Sequence, residues 1–115
     1  MQELPIKARK MSKYLLIAIN GPTTGEGDEQ SYNDWYNQTH LADLQKVRGN
    51  LATRRFRVVW QNRIEKPYIA ISEFEADDPA ALMKELGEKA SDFADSRMDR
   101  TTSISLLAVE LDTNQ

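Results

Sequence analysis

Four short apolar segments alternate with two segments of helical periodicity along the chain. Residues 13–19 are apolar on both alternating faces and stop at an Asn-Gly-Pro sequence, which is typical of a buried central strand. Residues 51–60 are rich in β-forming side chains and predict a second strand. A third strand is predicted over 67–74, opened by Pro67, and a fourth over 101–111.

The first helical segment follows a flexible loop at 21–27. Ser31 is a candidate N-cap because Asp34 follows at the spacing of a capping box, and Asp28 is a rival cap. Gly49 is well placed to end this helix, since glycine adopts the left-handed conformation that commonly follows a helix.

The second helix is predicted to begin at Asp78, because Pro79 takes the first helical position. Apolar residues then recur at helical spacing to about residue 94. The resulting order is βαββαβ, an α+β arrangement in which right-handed crossovers place strands one and three at the centre of an antiparallel four-stranded sheet. Both helices then cover one face. We expect one domain over 13–111, an N-terminal extension over 1–12 and a short tail over 112–115.

The sheet face without helices is predicted to need cover. Strands one and four are apolar on both sides, and such strands are normally buried on both sides. A long apolar edge strand is also an aggregation hazard unless it is paired. Sheet-to-sheet packing with a second copy would solve both problems and predicts a homodimer that closes a β-barrel. The alternative is a monomer in which residues 1–12 cover part of this face.

Composition narrows the function classes. The chain has 115 residues, 40% of them hydrophobic, and a net charge of -3, which argues against generic nucleic-acid binding. It has no cysteine, hence no disulfide, thiolate metal site or cysteine nucleophile. No apolar run approaches the length of a membrane span. We therefore expect a cytoplasmic protein with a small-molecule substrate and no nucleic-acid or membrane partner.

The first helix carries the most specific chemical signal. Asn33, Tyr36, His40 and Asp43 fall on or beside one helical stripe with Leu44, and buried polar groups need partners or a cavity. His40 is the single histidine, the residue type most often used as a general base or acid. Asp43 is placed to orient its ring, and Tyr36 or Asn33 to hold a developing oxyanion. The alternative is a core histidine bonded to a backbone carbonyl.

The strands hold further candidates for substrate binding. Tyr14 and Tyr68, on the two central strands, would present a phenol to the same pocket. Strand two carries three arginines, for which a charged edge strand is the favoured explanation. The alternative is that one of them, with Arg55 as the candidate, holds a carboxylate or phenolate. Trp60 is a weaker candidate at the end of strand two.

Two other polar positions receive less weight. Asn20 closes strand one and is as weak a candidate as Trp60. Arg100 is expected at the surface or in a dimer contact. The chain shows no Gly-rich phosphate loop, serine nucleophile elbow or histidine-rich metal cluster.

Segment 33–57, which contains the run WYNQTHLADLQKVRGNLATRRFR, resembles the dimeric α+β barrel superfamily and is most similar to its EthD-like branch. In that branch a helix carries a tryptophan or tyrosine, then a histidine and a leucine, and ends at a glycine before an arginine-bearing strand. The resemblance covers about residues 13–111. It implies a ferredoxin-like fold, a homodimer, and a pocket between the helices and the sheet of each subunit.

The resemblance does not fix a reaction, because members include isomerases, cyclases, dehydratases, cofactor-free quinone-forming monooxygenases and haem-degrading monooxygenases. His40 matches the helix-one histidine that several members use for proton transfer. The haem-degrading type needs a histidine on the second helix, and residues 78–94 contain none, so no cofactor and no metal are expected.

Three functions follow from these observations. The first is a cofactor-independent isomerase, lyase or cyclase in which His40 moves a proton on a small aromatic, lactone or polyketide-like substrate. The second is a cofactor-free monooxygenase acting on a phenolic substrate. The third is a non-catalytic protein that binds a small hydrophobic molecule in the same pocket.

Overall fold

The computed structural model describes residues 10–89 and 96–112. The four strands are β1 (Ser12–Asn20), β2 (Asn50–Arg57), β3 (Tyr68–Ala76) and β4 (Ile104–Val109). The first helical region is made of α1 (Asp28–Trp35), a π-helical turn (Tyr36–His40) and α2 (Leu41–Gln45), and together we call them the N-terminal helix. The helix α3 spans Pro79–Glu88.

The strands form one antiparallel sheet in the order β2-β3-β1-β4, so the predicted βαββαβ order and the central position of strands one and three are confirmed. Three strands differ in extent from the prediction. The strand β2 ends at Arg57, β3 continues to Ala76, and β4 is shorter at both ends than the predicted 101–111. Trp60 therefore lies in the connection between β2 and β3, beyond the hydrogen-bonded strand.

Both helices cover the same face of the sheet, as predicted. Tyr14 and Phe74, on the two central strands, pack in one buried cluster with apolar side chains of α2 and α3. Because strand residues alternate between faces, the neighbours of these residues point to the opposite side. That side carries an apolar set that the described chain leaves partly exposed: Leu15, Ile17, Ile19, Ile69, Ile71, Ile104 and Leu106.

The start of the N-terminal helix differs from the prediction. The helix begins at Asp28, and its N-cap is Gly27 in the left-handed conformation, with no side-chain cap. The Asp28 carboxylate faces backwards into the loop, where it accepts hydrogen bonds from the Gly25 backbone and the Thr23 hydroxyl. Ser31 lies inside the first turn and donates its backbone N–H to Gly27, so the proposed Ser31 cap is wrong.

The start of α3 agrees with the prediction. Asp78 is the N-cap, and its carboxylate accepts a hydrogen bond from the Ala80 backbone N–H at 2.9 Å. Pro79 follows at the first helical position, where its missing N–H costs no hydrogen bond. The described helix ends at Glu88, and the predicted continuation over 90–94 lies outside the described residues.

Gly49 lies in the connection between the N-terminal helix and β2, at a position where a side chain does not fit. Its φ is +87°, and a Cβ atom there would lie 2.3 Å from the Glu75 carbonyl oxygen. The Glu75 backbone N–H also donates to the Gly49 carbonyl at 2.9 Å. Because α2 ends at Gln45 with Lys46 as its C-cap, the prediction that Gly49 ends the helix is wrong. The glycine is needed in the turn before β2, both for its conformation and for its close approach to β3.

We expect Gly49→Ala to lower the free energy of unfolding by about 2–4 kcal/mol, because the methyl group adds a backbone clash to a strained φ. Gly87→Ala is the matched control, since a Cβ at that helical position meets nothing within 4 Å. The control is expected to be neutral or stabilising by up to about 1 kcal/mol. Urea unfolding followed by circular dichroism measures both, and an unchanged midpoint for Gly49→Ala would contradict the described approach to Glu75.

Candidate functional site

The N-terminal helix contains a π turn where the candidate histidine lies. The Leu41 backbone N–H donates to the Tyr36 carbonyl, five positions back, as in a π turn. Such a turn holds one more residue than an α turn and resets the helical phase. Tyr36, His40 and Leu44, spaced four apart as neighbours on one helix face are, all line the same cavity.

The cavity lies between the N-terminal helix, α3 and the helix-covered face of the sheet, and has a volume of about 360 Å³. Small side chains make its floor. In the sheet register Ala18 lies opposite Ala70 on one side and opposite Ser105 on the other. Further back along β1, Tyr14 lies opposite Phe74 on the same face of the sheet. There the two large rings fill the space between sheet and helices and form part of the core. The cavity therefore exists because one row across the sheet is built from small residues.

His40 is partly buried at this cavity. Its imidazole stacks on the Trp35 indole, with ring centroids 4.7 Å apart and an angle of 13° between planes. Tyr36 meets it edge-on, with a centroid separation of 5.0 Å. Burial lowers the pKa of His40 to about 4, and the Asp43 charge only partly opposes this. The ring is therefore neutral at pH 7 and able to accept a proton.

Tyr36 supplies a phenol at the same cavity. Its side chain is 1% exposed, and burial raises the pKa of the hydroxyl while Asn20 and Arg55 partly oppose the rise. The group therefore remains protonated at neutral pH and can donate a hydrogen bond. Asn20 also lines the cavity and accepts a hydrogen bond from the Tyr32 hydroxyl.

Arg55 packs against Tyr36, which lines the cavity. Its guanidinium carbon lies 4.3 Å from the centroid of the Tyr36 ring, and it also lies over the Tyr32 and Tyr68 rings at 5.4 and 5.1 Å. These are distances at which a cation is attracted to an aromatic face.

The guanidinium also donates to two amide oxygens of the N-terminal helix, Asn37 Oδ1 at 2.9 Å and Asn33 Oδ1 at 3.0 Å. Arg55 is not among the residues that line the cavity. It therefore packs against Tyr36 outside the cavity lining, and its expected role in holding a substrate anion stays a prediction.

Three of the residues considered for the site, His40, Tyr36 and the weaker candidate Asn20, line the cavity. Asp43 does not, and acts on His40 through its charge. The remaining four candidates lie elsewhere: Asn33 and Tyr68 bond to each other and to Glu29 on the outer side, Tyr14 is part of the filled core, and Trp60 is 77% exposed.

Several lining residues were missed or given little weight by sequence analysis. Ser103 and Ser105 line the cavity from the start of β4, and Arg100 lines it from the preceding turn. The alternation of Ser103, Ser105 and Leu107 is the signal that could have indicated a polar cavity wall giving way to core. Arg100 is exposed, as expected, but its position beside the cavity depends on a turn that has no periodicity to indicate it.

Two classes of site are not found in the part of the chain that the structure describes. Within residues 10–89 and 96–112, no group of three or more histidine, cysteine, aspartate or glutamate side chains is arranged to hold a metal ion. No helix in those ranges is long and apolar enough to cross a membrane.

The fold and the site together define a small α+β protein of ferredoxin-like topology with a cavity between its helices and its sheet. A crystal structure of an EthD-family protein from Bacillus halodurans is similar to this chain, with a TM-score of 0.55 over 86% of this chain and 99% of that one. The two sequences are 20% identical, so the similarity shows a shared EthD-like fold. Comparison with protein-family models gave no match, and neither did comparison with curated protein sequences.

Burial of His40 makes stability depend on pH. The pKa of His40 is about 4 in the folded chain against an ordinary value of 6.5. Between these two pH values the ring is protonated in the unfolded chain and neutral in the folded chain. The free energy of unfolding is thus unaffected by this titration above pH 6.5 and decreases as the pH falls towards 4. We expect a loss of about 3 kcal/mol from this group.

The control is His40→Phe, which keeps a flat ring against Trp35 but cannot titrate in this range. Urea unfolding at pH 7 and pH 4 should show a larger drop for the unaltered protein than for His40→Phe, because the carboxylates contribute equally to both. Equal losses of unfolding free energy in the two proteins would show that folding does not lower the pKa of His40.

Proposed function

We propose that this chain is a cofactor-independent enzyme of the isomerase, lyase or cyclase type, in which His40 transfers a proton on a small aromatic, lactone or polyketide-like guest. The observation that carries the proposal is the pairing of a neutral imidazole with a protonated phenol, Tyr36, on one wall of a largely apolar cavity. A base and a hydrogen-bond donor side by side are what removal of a proton α to a carbonyl requires.

The chemistry has a simple proton balance. The His40 imidazole takes the proton from carbon, and the electron pair moves onto the carbonyl oxygen as an enolate. Tyr36 donates a hydrogen bond to that oxygen, and the Asp43 carboxylate stabilises the imidazolium through its charge. Return of the proton to another carbon gives isomerisation, and loss of a leaving group from the β-carbon gives elimination.

The low pKa of His40 sets a condition on this chemistry. An imidazole with a pKa near 4 binds a proton weakly, so it is a poor base towards a guest that stays uncharged. The enolate formed in the same step is an adjacent negative charge, which favours the imidazolium. Removal of the proton and creation of that charge therefore support each other within the cavity.

Proton transfer can be tested before the natural substrate is known. The probe is 1-tetralone, a bicyclic aromatic ketone whose α-protons exchange slowly in neutral D₂O, and the measurement is the rate of deuterium uptake by NMR. We expect the protein to accelerate exchange and His40→Asn to reduce that acceleration by at least about a hundredfold, the contribution typical of a general base.

Thr39→Asn is the matched control, because it introduces the same residue at an exposed neighbouring position of the π turn. Acceleration that survives His40→Asn would remove His40 as the base. Binding of 1-tetralone without any acceleration would favour a non-catalytic binding protein. Oxygen consumption with a hydroquinone, together with no exchange of the α-protons of 1-tetralone, would favour the cofactor-free monooxygenase.

We also propose that two copies pack through the sheet face that the helices leave open. This face presents apolar side chains from all four strands, and three of them are well exposed in the single chain: Phe56 at 42%, Ile104 at 38% and Leu106 at 44%. A contiguous apolar surface of this kind is rare on a monomer. A second copy fits it because the two sheets would offer each other the same flat apolar surface and bury both at once.

Leu106→Lys places a charge on this face, on the edge strand β4 and opposite Ile17 of the central strand β1. We expect the unaltered protein to elute as a dimer in size-exclusion chromatography with light scattering, and Leu106→Lys as a monomer. Val59→Lys is the control, since Val59 is 88% exposed in the connection after β2. A monomeric unaltered protein, or a dimer unaffected by Leu106→Lys, would reject this interface.

A further inference from the structure

A buried amide lies where β1 ends at the cavity. Asn20 is 3% exposed and lines the cavity, on the same sheet face as Ala18, because residues two apart in a strand point the same way. Its backbone is fixed in the sheet opposite Tyr68 of β3. Its Oδ1 atom accepts a hydrogen bond from the hydroxyl of Tyr32, a fully buried side chain. The amide is thus held at the cavity wall through both its backbone and its oxygen.

The direction of this hydrogen bond is set by the other neighbour of the Tyr32 hydroxyl. The guanidinium carbon of Arg55 lies 5.4 Å from the centroid of the Tyr32 ring. Burial raises the pKa of Tyr32, which keeps the hydroxyl protonated, and a hydrogen bond from Arg55 partly opposes the rise. Because a guanidinium can only donate, the Tyr32 oxygen accepts from it and the Tyr32 hydrogen goes to Asn20. The amide oxygen of Asn20 therefore faces Tyr32.

An amide whose oxygen is occupied in this way presents its N–H groups on the other side. The Tyr36 hydroxyl accepts there: a hydrogen bond from Asn20 is among the interactions that oppose the rise in the pKa of Tyr36 caused by burial. The two tyrosine rings that Asn20 serves lie with their centroids 5.6 Å apart. Since the Asn20 nitrogen can only donate, the hydrogen of the Tyr36 hydroxyl is left for an acceptor in the cavity that Tyr36 lines.

We propose that Asn20 is a positioning residue, which orients the Tyr36 hydroxyl so that it donates to the carbonyl oxygen of a ketone or lactone guest. The inference rests on the proposed proton-transfer site. It adds a series of donors, Arg55, Tyr32, Asn20 and Tyr36, in which each member donates to the next, and hydrogen bonds in such a series strengthen one another. It also specifies the guest, which has to bring an acceptor oxygen to Tyr36 beside the His40 ring.

The test measures the hydrogen bond to the guest. The probe is 1-tetralone with or without a carbon-13 label at its carbonyl, and isotope-edited infrared spectroscopy gives the C=O stretching frequency of the bound ketone, which falls when the oxygen accepts a hydrogen bond. Tyr36→Phe removes the donor. Asn20→Asp keeps the shape of the side chain but, when ionised, offers only acceptors, so that the Tyr36 hydroxyl turns away from the ketone. Asn62→Asp is the control, since it makes the same change at an exposed position between β2 and β3.

We expect a lower carbonyl frequency in the unaltered protein and in Asn62→Asp than in Tyr36→Phe, and Asn20→Asp should match Tyr36→Phe. The new carboxylate is ionised at pH 7, because two tyrosine hydroxyls donate to it and Arg55 lies over both rings. Acceleration of α-proton exchange should fall about a hundredfold in Tyr36→Phe and Asn20→Asp, the loss typical of removing one oxyanion donor.

Tyr32→Phe is a second variant that leaves Asn20 in place. It keeps the buried ring and removes the hydroxyl that holds the amide oxygen, so the amide can turn that oxygen towards Tyr36. The carbonyl frequency should then lie between the values for the unaltered protein and Tyr36→Phe. This variant tests the inference even where Asn20→Asp does not fold.

The NMR signal of the single histidine ring shows whether the ketone occupies the cavity. A frequency that stays fully low in Asn20→Asp or Tyr32→Phe, one no lower in the unaltered protein than in Tyr36→Phe, or a ketone that leaves the His40 signal unmoved would each overturn the inference. The infrared shift needs no proton transfer, so the two proposals fail separately. A lowered frequency that depends on Asn20, without α-proton exchange, would reject catalysis by His40 alone. Exchange without a lowered frequency would reject the role of Asn20 alone.

Discussion

The site depends on one row of small side chains across the sheet. Ala70, Ala18 and Ser105 lie side by side where a helix passes over them, and no neighbour is large enough to fill the gap. Protein interiors are otherwise close-packed, so a space of this size between helix and sheet is a specific feature of the chain. The filled register at Tyr14 and Phe74 shows that the same sheet packs solidly where its residues are large.

Tyr36 is held by packing and by a charged neighbour. It belongs to a buried cluster with Tyr32, Ala70 and Met98, and Arg55 lies over its ring and binds two asparagines of the same helix. This arrangement joins the edge strand β2 to the N-terminal helix through charge-assisted hydrogen bonds and aromatic contacts. The position of the Tyr36 ring is therefore set by several independent contacts.

The fold could be predicted from the sequence because its signals are local and mutually consistent. Apolar strands, turn residues and the Asp78 cap set the element order, and the handedness of crossovers then fixed the sheet order. The start of the N-terminal helix was wrong because the Asp28 side chain bonds to the loop before it and not to the helix. Such a choice between two equally local partners is not visible in the spacing of residues.

The site was predictable only where one element carried it. His40 and Tyr36 follow from the polar stripe of a single helix. The placement of Arg55 and Arg100 depends on which face of β2 meets that helix and on where a turn returns along the sheet, and both are tertiary facts. The π turn at Tyr36–His40 has no periodicity signal either.

The burial of His40 and its proposed chemistry are linked through charge. Burial holds the imidazole neutral at pH 7. A negative charge that develops on a guest beside His40 would favour protonation of the ring, because a negative charge nearby stabilises the imidazolium. In the proposed proton transfer, such a charge would offset the burial that makes the histidine a weak base.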